Sequence, residues 1–243
     1  EKKDERKGNK SNRNQDNIIA DPETGLVGVF DGVGGIASGD KASQSAESSI
    51  PRAYEEAMKK NKKANAYEIQ KKIVEMQLQK IGSGDLDAEQ RMRPEITAMV
   101  ENMFIKDKGL GYKALSMLES MQAANKEVEK TKGGTTACVG LVHESADGTR
   151  WAVIANVGDS AAFKRRANGE MVQLTREDSF INMLTESGSL SPELLQRMKK
   201  TPDKPHPIPV TRALVKALGG GEKEYEKLHG QDYPMTYKKL KAA

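Results

Sequence analysis

Hydrophobic and polar positions fall into three regimes along the chain. Near the start, two short apolar runs, Ile18-Ile19-Ala20 and Leu26-Val27-Gly28-Val29-Phe30, flank the turn Asp21-Pro22-Glu23-Thr24-Gly25. Apolar runs joined by Asp, Pro and Gly predict a hairpin of residues 16–20 with 26–30. From Ala42 to Lys130 the chain is rich in Glu, Lys, Ala, Leu, Met and Gln. Ile69, Ile73, Met76 and Ile81 recur near helical spacing, as do Ala114, Met117, Leu118, Met121 and Ala124. This predicts two or three amphipathic helices covering one face of a sheet, interrupted by a loop at Gly82-Ser83-Gly84-Asp85. Strand character returns at Gly133, over 133–142, 151–166 and 171–175, with turns at 143–150 and at Ala167-Asn168-Gly169-Glu170. Ser191-Pro192-Glu193 opens a predicted helix over 191–200, because Ser caps a first turn and Pro fits within it. A proline-rich loop spans 201–209, and 210–221 reads as a short helix or strand ending in glycines. Residues 1–12 carry no apolar side chain and read as a solvated terminus ahead of one domain over 13–243.

The same pattern places acids at strand ends. The run Leu26–Phe30 stops at Asp31, and Gly32, Gly34 and Gly35 follow. A carboxylate closing a buried strand is costly without a positive partner. Adjacent glycines let the backbone approach closely and offer a carbonyl as a ligand. A hard divalent cation with oxygen ligands satisfies both features. A strand followed by a glycine turn with a solvated Asp accounts for the stretch equally well. The hairpin also brings Asp16 to the Asp31 end, where two carboxylates repel unless a cation lies between them. Val157-Gly158-Asp159-Ser160 repeats the theme of an acid beside glycine, and a bulged strand with an exposed acid explains it too.

Composition narrows the chemistry. With one cysteine, Cys138, and three histidines, no intrachain disulfide forms and no zinc site of the usual kind is readily built. Any metal is therefore held by oxygen, which favours magnesium, manganese or calcium. Cysteine usage fits a reducing compartment, and a cytoplasmic location is the expectation. Charged residues make up 30% and mean hydropathy is −0.69; the longest apolar stretches are far too short to span a bilayer. A net charge of +4 arises from 39 basic and 35 acidic residues with few interleaved aromatics, which argues against nucleic-acid binding. Gly133-Gly134-Thr135-Thr136 could be taken for a phosphate loop, but it lacks the Gly-Lys-Ser/Thr ending and leads into a strand; a structural turn is the better reading.

Taken in order, Arg13-Asn14-Gln15-Asp16, Val29-Phe30-Asp31-Gly32-Val33-Gly34-Gly35, a helical segment, Gly133-Gly134-Thr135-Thr136-Ala137, Asn156-Val157-Gly158-Asp159-Ser160 and Leu174-Thr175-Arg176-Glu177-Asp178-Ser179 resemble the metal-dependent protein phosphatases of the PPM (type 2C) family. The resemblance covers about 13–180 and, more loosely, 208–220. It implies an α+β fold, an antiparallel β-sandwich flanked by pairs of antiparallel helices. It implies hydrolysis of phosphoserine or phosphothreonine in a protein substrate by direct attack of a water that bridges two manganese or magnesium ions, with a weak third ion in many members. Asp31 matches the acid bridging both metals, and Gly32 the residue that ligates through its carbonyl. Asp16 matches an acid holding metal-bound water, and Asp159 the acid of the third site. Arg13 is the candidate for gripping the substrate phosphate, although it stands closer to Asp16 than the family spacing. Gln15 replaces an acid, Val33 stands where some members carry a histidine, and Ala161 where an arginine is common. Nothing after Ser160 matches the late S-D-G and D-N acids, so the resemblance implies a domain incomplete at its C-terminal end or lacking part of the second metal site. The alternative is a non-catalytic PPM-like module that binds a partner.

Overall fold

The computed structural model describes residues 14–33, 38–82, 86–178 and 217–219. Strands β1 (Asp16–Ala20) and β2 (Val27–Asp31) form the expected hairpin, with Asp16 opposite Asp31 and Ala20 opposite Val27. Asp21 builds the turn. Its carboxylate accepts from the Glu23 N–H at 2.9 Å and the Thr24 hydroxyl at 2.6 Å, while Gly25 takes a left-handed φ of +73°. Strands β3 (Ala137–Glu144) and β4 (Arg150–Val157) complete an antiparallel sheet in the order β1-β2-β3-β4.

Alternation along the strands sorts this sheet into two faces. Ile19, Phe30, Val139, Leu141 and Ala155 point into a core shared with α1 (Gly39–Asn61) and α4 (Lys108–Glu129). Helix α1 presents Ala42, Ala46 and Ile50, all fully buried, so its first turns lie close against the hairpin. The opposite face carries Ile18, Val27, Val29 and Val142 in exposed positions. Among the described residues this is an α+β arrangement with helices packed on one side of the four-stranded sheet.

Three expectations are corrected. Among the described residues the helical segment holds four helices, and α2 (Ala66–Gly82) and α3 (Leu86–Lys106) form an outer layer of their own. Ile69, Ile73 and Leu78 interlock with Ile96 and Val100 and with Leu115 of α4. The reason is that α4 carries two apolar stripes. Met117, Ala124 and Val128 face the sheet, and Leu115 faces the second helical pair. Glu119 of α4 fastens the layers: it pairs with Lys72 of α2 and accepts from Asn61 Nδ2 of α1 at 2.8 Å.

The strand expected over 151–166 is also broken. Strand β4 ends at Val157, Gly158 adopts φ +95°, and the chain leaves the sheet. Phe163–Arg165 (β5) then pairs with Met171–Gln173 (β6) as a separate ribbon across the Asn168-Gly169 turn. Likewise β3 starts at Ala137 and not at Gly133, because the preceding glycines and threonines bridge to neighbouring segments. Thr135 exchanges two backbone hydrogen bonds with Leu218, of 3.1 and 2.9 Å. The charge run 1–12 and the helix expected at 191–200 lie outside the described residues.

Helix α4 is locked to the sheet at its start. Asp107 caps it, accepting from the Gly109 and Leu110 N–H groups at 2.7 and 3.3 Å, and its other oxygen meets His143 Nε2 of β3 at 2.8 Å. The hydrogen bonds from His143, Ser145 and the two amides hold the Asp107 carboxyl down to about 2. A depressed carboxyl contributes stability above its ordinary value of 3.8 and loses it as pH falls towards that lower value. Thermal melts below pH 4 are therefore expected to show Asp107→Ala converging on the wild type, whereas at neutral pH the variant is weaker by about 1–2 kcal/mol. A constant gap across that range would show that the cap carries no charge-dependent stability.

Candidate metal centre

The site gathers where the β1–β2 hairpin, the Gly133–Thr136 turn and the end of β4 meet. Its central element is the backbone of Asp31, which is held from several directions. The Asp31 carbonyl accepts from the Thr136 N–H at 2.9 Å and the Thr135 hydroxyl at 3.0 Å. The Asp31 N–H donates to Thr136 Oγ1 at 3.0 Å. Gly32 donates to the Gln15 carbonyl at 3.1 Å, and Val33 to the Gly134 carbonyl at 2.8 Å. Close approach explains the glycines. A Cβ on Gly32 would lie 2.4 Å from the Gly39 carbonyl oxygen, and one on Gly133 would lie 2.4 Å from that of Ser38. Gly133-Gly134-Thr135-Thr136 is thus the structural turn expected of it.

This framework leaves the Asp31 side chain at an open edge, with Asp16 opposite it in the hairpin register. Its carboxyl is pushed above the ordinary range. The largest cause is partial desolvation of the carboxyl, even though the residue reaches solvent. The charge of Asp16 and a hydrogen bond with it come next, followed by the charge of Asp159. No lysine or arginine among the described residues forms an ion pair with any of these three acids. Like charges left uncompensated at one strand end fit a divalent cation, and carboxylate with backbone carbonyl is the donor set such a hard ion prefers.

The arrangement assigns the expected residues unequally. Asp16, Asp31 and Gly32 come together, because the hairpin register fixes all three. Asp159 is near enough to influence Asp31 by charge, yet among the described residues no three His, Cys, Asp or Glu side chains converge into a cage for one ion. Arg13 lies outside the described residues. Gln15 serves the framework: its carbonyl accepts from Gly32 and, at 2.5 Å, from the Ser43 hydroxyl, and its side chain rests against Gly39.

Sequence reading assigned no role to Asp178. Its N–H donates to the Gly158 carbonyl at 2.8 Å, and its Oδ2 accepts from the Gly158 N–H at 3.1 Å, so it clamps the turn that carries Asp159. Its place in the Leu174–Ser179 motif was the available signal. Ser145, Asp107 and His143 include the residue types of a nucleophilic triad, but the carboxylate sits between the other two. Trp151 Nε1 donates to Ser145 Oγ at 3.1 Å, and no hydrogen bond joins that hydroxyl to the imidazole, so the cluster is a helix-to-sheet lock.

A comparison with curated proteins finds no match. The PPM Ser-Thr phosphatase MsPP from Mycobacterium smegmatis, solved in complex with cacodylate, is 22% identical, with a TM-score of 0.48 over 86% of this chain and 62% of that one. The Mycobacterium tuberculosis serine/threonine phosphatase PstP/Ppp is 20% identical, with a TM-score of 0.45 over 87% and 64%. The catalytic domain of PstP in complex with two manganese ions is 21% identical, with a TM-score of 0.42 over 87% and 63%. This chain therefore spans less than two thirds of the length of those solved structures. A family model described as protein phosphatase 2C matches residues 6–206. On the strength of that match, which covers most of its length, the chain belongs to the protein phosphatase 2C family.

Proposed function

We propose that this chain carries a metal-dependent phosphatase site that acts on phosphoserine or phosphothreonine in proteins. The observation that supports this most directly is the Asp16–Asp31 pair, brought together by the hairpin register and left without a basic partner among the described residues. Asp31 would hold the ions centrally, with the Gly32 carbonyl and Asp16 as flanking oxygen donors and Asp159 serving a further, weaker ion. Two bound manganese or magnesium ions would supply positive charge against the phosphate oxygens and make bound water more acidic. The chain's own contribution is to fix these donors on a rigid strand end, so that little reorganisation is needed when a phosphate arrives. Arg13 is the residue proposed to grip the substrate phosphate. A phosphorylated protein is the proposed partner, and the cytoplasm the proposed location.

A second reading, a non-catalytic interaction module, draws support from Gln15. A neutral side chain replaces an acid there and is engaged in packing. Hydrolysis of a phosphothreonine peptide with and without manganese separates the two. Turnover that appears with manganese and disappears on chelation is the expected result. Manganese binding without turnover would favour the interaction module, and the absence of both would overturn the metal-site reading.

A further inference from the structure

We infer that Thr136 and Ser160 are positioning residues, through which the turn carrying Asp159 is fastened to the backbone of Asp31. The inference rests on the metal-site reading above and deepens it. Thr136 is almost fully buried, at 1% exposed, so its hydroxyl has no solvent to fall back on. That hydroxyl accepts from the Asp31 N–H at 3.0 Å and lies 2.6 Å from Ser160 Oγ. With one lone pair on the Asp31 amide, it completes its hydrogen bonding with Ser160, and the chain Asp31–Thr136–Ser160 is continuous. These residues are far apart in sequence, on β2, at the entry to β3 and beyond β4, so the link is a tertiary one.

The surrounding packing restricts the turn to this position. Gly158 sits directly over Thr136: a Cβ there would lie 2.8 Å from Thr136 Cγ2 and 2.9 Å from Thr136 Cβ. Asp178 also holds Gly158, with two hydrogen bonds. The Gly158–Ser160 turn is thereby tied to both Asp178 and Thr136. Asp159 lies in sequence between Gly158 and Ser160, so anchoring those two residues restricts where its carboxylate can go. Residues that orient ligating groups in this way typically change metal affinity roughly 10- to 100-fold when removed, without touching the metal themselves.

The test uses Thr136→Val, which keeps the shape and removes the hydroxyl, Thr136→Ser, which restores it, and Ser160→Ala. Manganese affinity is read by calorimetry, and amide exchange at Asp31 is read in the metal-free protein. Thr136→Val is expected to weaken manganese binding by roughly tenfold or more and to speed exchange at the Asp31 amide, with Thr136→Ser close to wild type on both counts. Ser160→Ala, which leaves the Asp31 amide its acceptor, is expected to weaken binding less. If Thr136→Val unfolds, the comparison of Ser160→Ala with wild type decides the matter alone, and unchanged affinity there overturns the inference. Unchanged affinity and exchange in Thr136→Val overturn it while leaving the metal reading intact. A wild-type chain that binds no manganese overturns both.

Discussion

Asp31→Asn is expected to lower manganese-dependent turnover of a phosphothreonine peptide by at least about a hundredfold and to weaken manganese binding to a similar degree. The carboxylate lies at the centre of the proposed donor set, and an amide supplies one neutral oxygen in its place. The same substitution carries an opposite expectation for the metal-free protein. Asp31 faces the like charges of Asp16 and Asp159 with no basic partner among the described residues. Removing one charge relieves that repulsion, and the framework bonds are made by the Asp31 backbone, which Asn retains. Metal-free Asp31→Asn should therefore melt at or above the temperature of metal-free wild type, and manganese should raise the midpoint of wild type alone. Thermal melts with and without manganese, run beside the peptide assay, read both effects. A variant that melts well below wild type without metal would show that Asp31 is a structural anchor and that the charge argument fails.

Gly32→Ala is expected to destabilise the fold by about 3 kcal/mol, the upper range for inserting a methyl group into packed surroundings. The new Cβ would stand 2.4 Å from the Gly39 carbonyl oxygen, 2.6 Å from its carbon and 2.9 Å from Gln15 Cβ. Two of those three atoms are backbone in the first turn of α1, which is itself held by buried Ala42 and Ala46, so neither side yields cheaply. Because Gly32 adjoins Asp31, the shift that relieves the clash also moves the candidate metal donors. Gly25→Ala provides the contrast. Nothing lies within 4 Å of its Cβ position, and the cost there is only that of a non-glycine residue at φ +73°, about 1 kcal/mol. Denaturant unfolding of the two variants compares them directly. A Gly32→Ala cost no larger than that of Gly25→Ala would mean that α1 is free to move away from the hairpin.

The hairpin and its acids were legible in the sequence because their determinants are local. Asp21, Pro22 and Gly25 specify the turn, the turn sets the register, and the register places Asp16 opposite Asp31 without reference to any other part of the chain. The helical character of Ala66–Glu129 was legible in the same way, from spacing alone. How many helices share that stretch, and what they cover, was not. Periodicity identifies an apolar stripe but not its partner, and α4 divides its surface between the sheet and the α2–α3 pair. The break after Val157 was equally hidden. An apolar run through Gly158 reads as one strand until Thr136 and Asp178 close on that glycine from distant parts of the chain. Sequence by itself thus determined the acids, the glycines beside them and the hairpin that joins two of them. The tertiary structure alone decided the buried hydrogen bonds that hold those acids in place, because each joins residues separated by roughly twenty to more than a hundred positions, which no local pattern can pair.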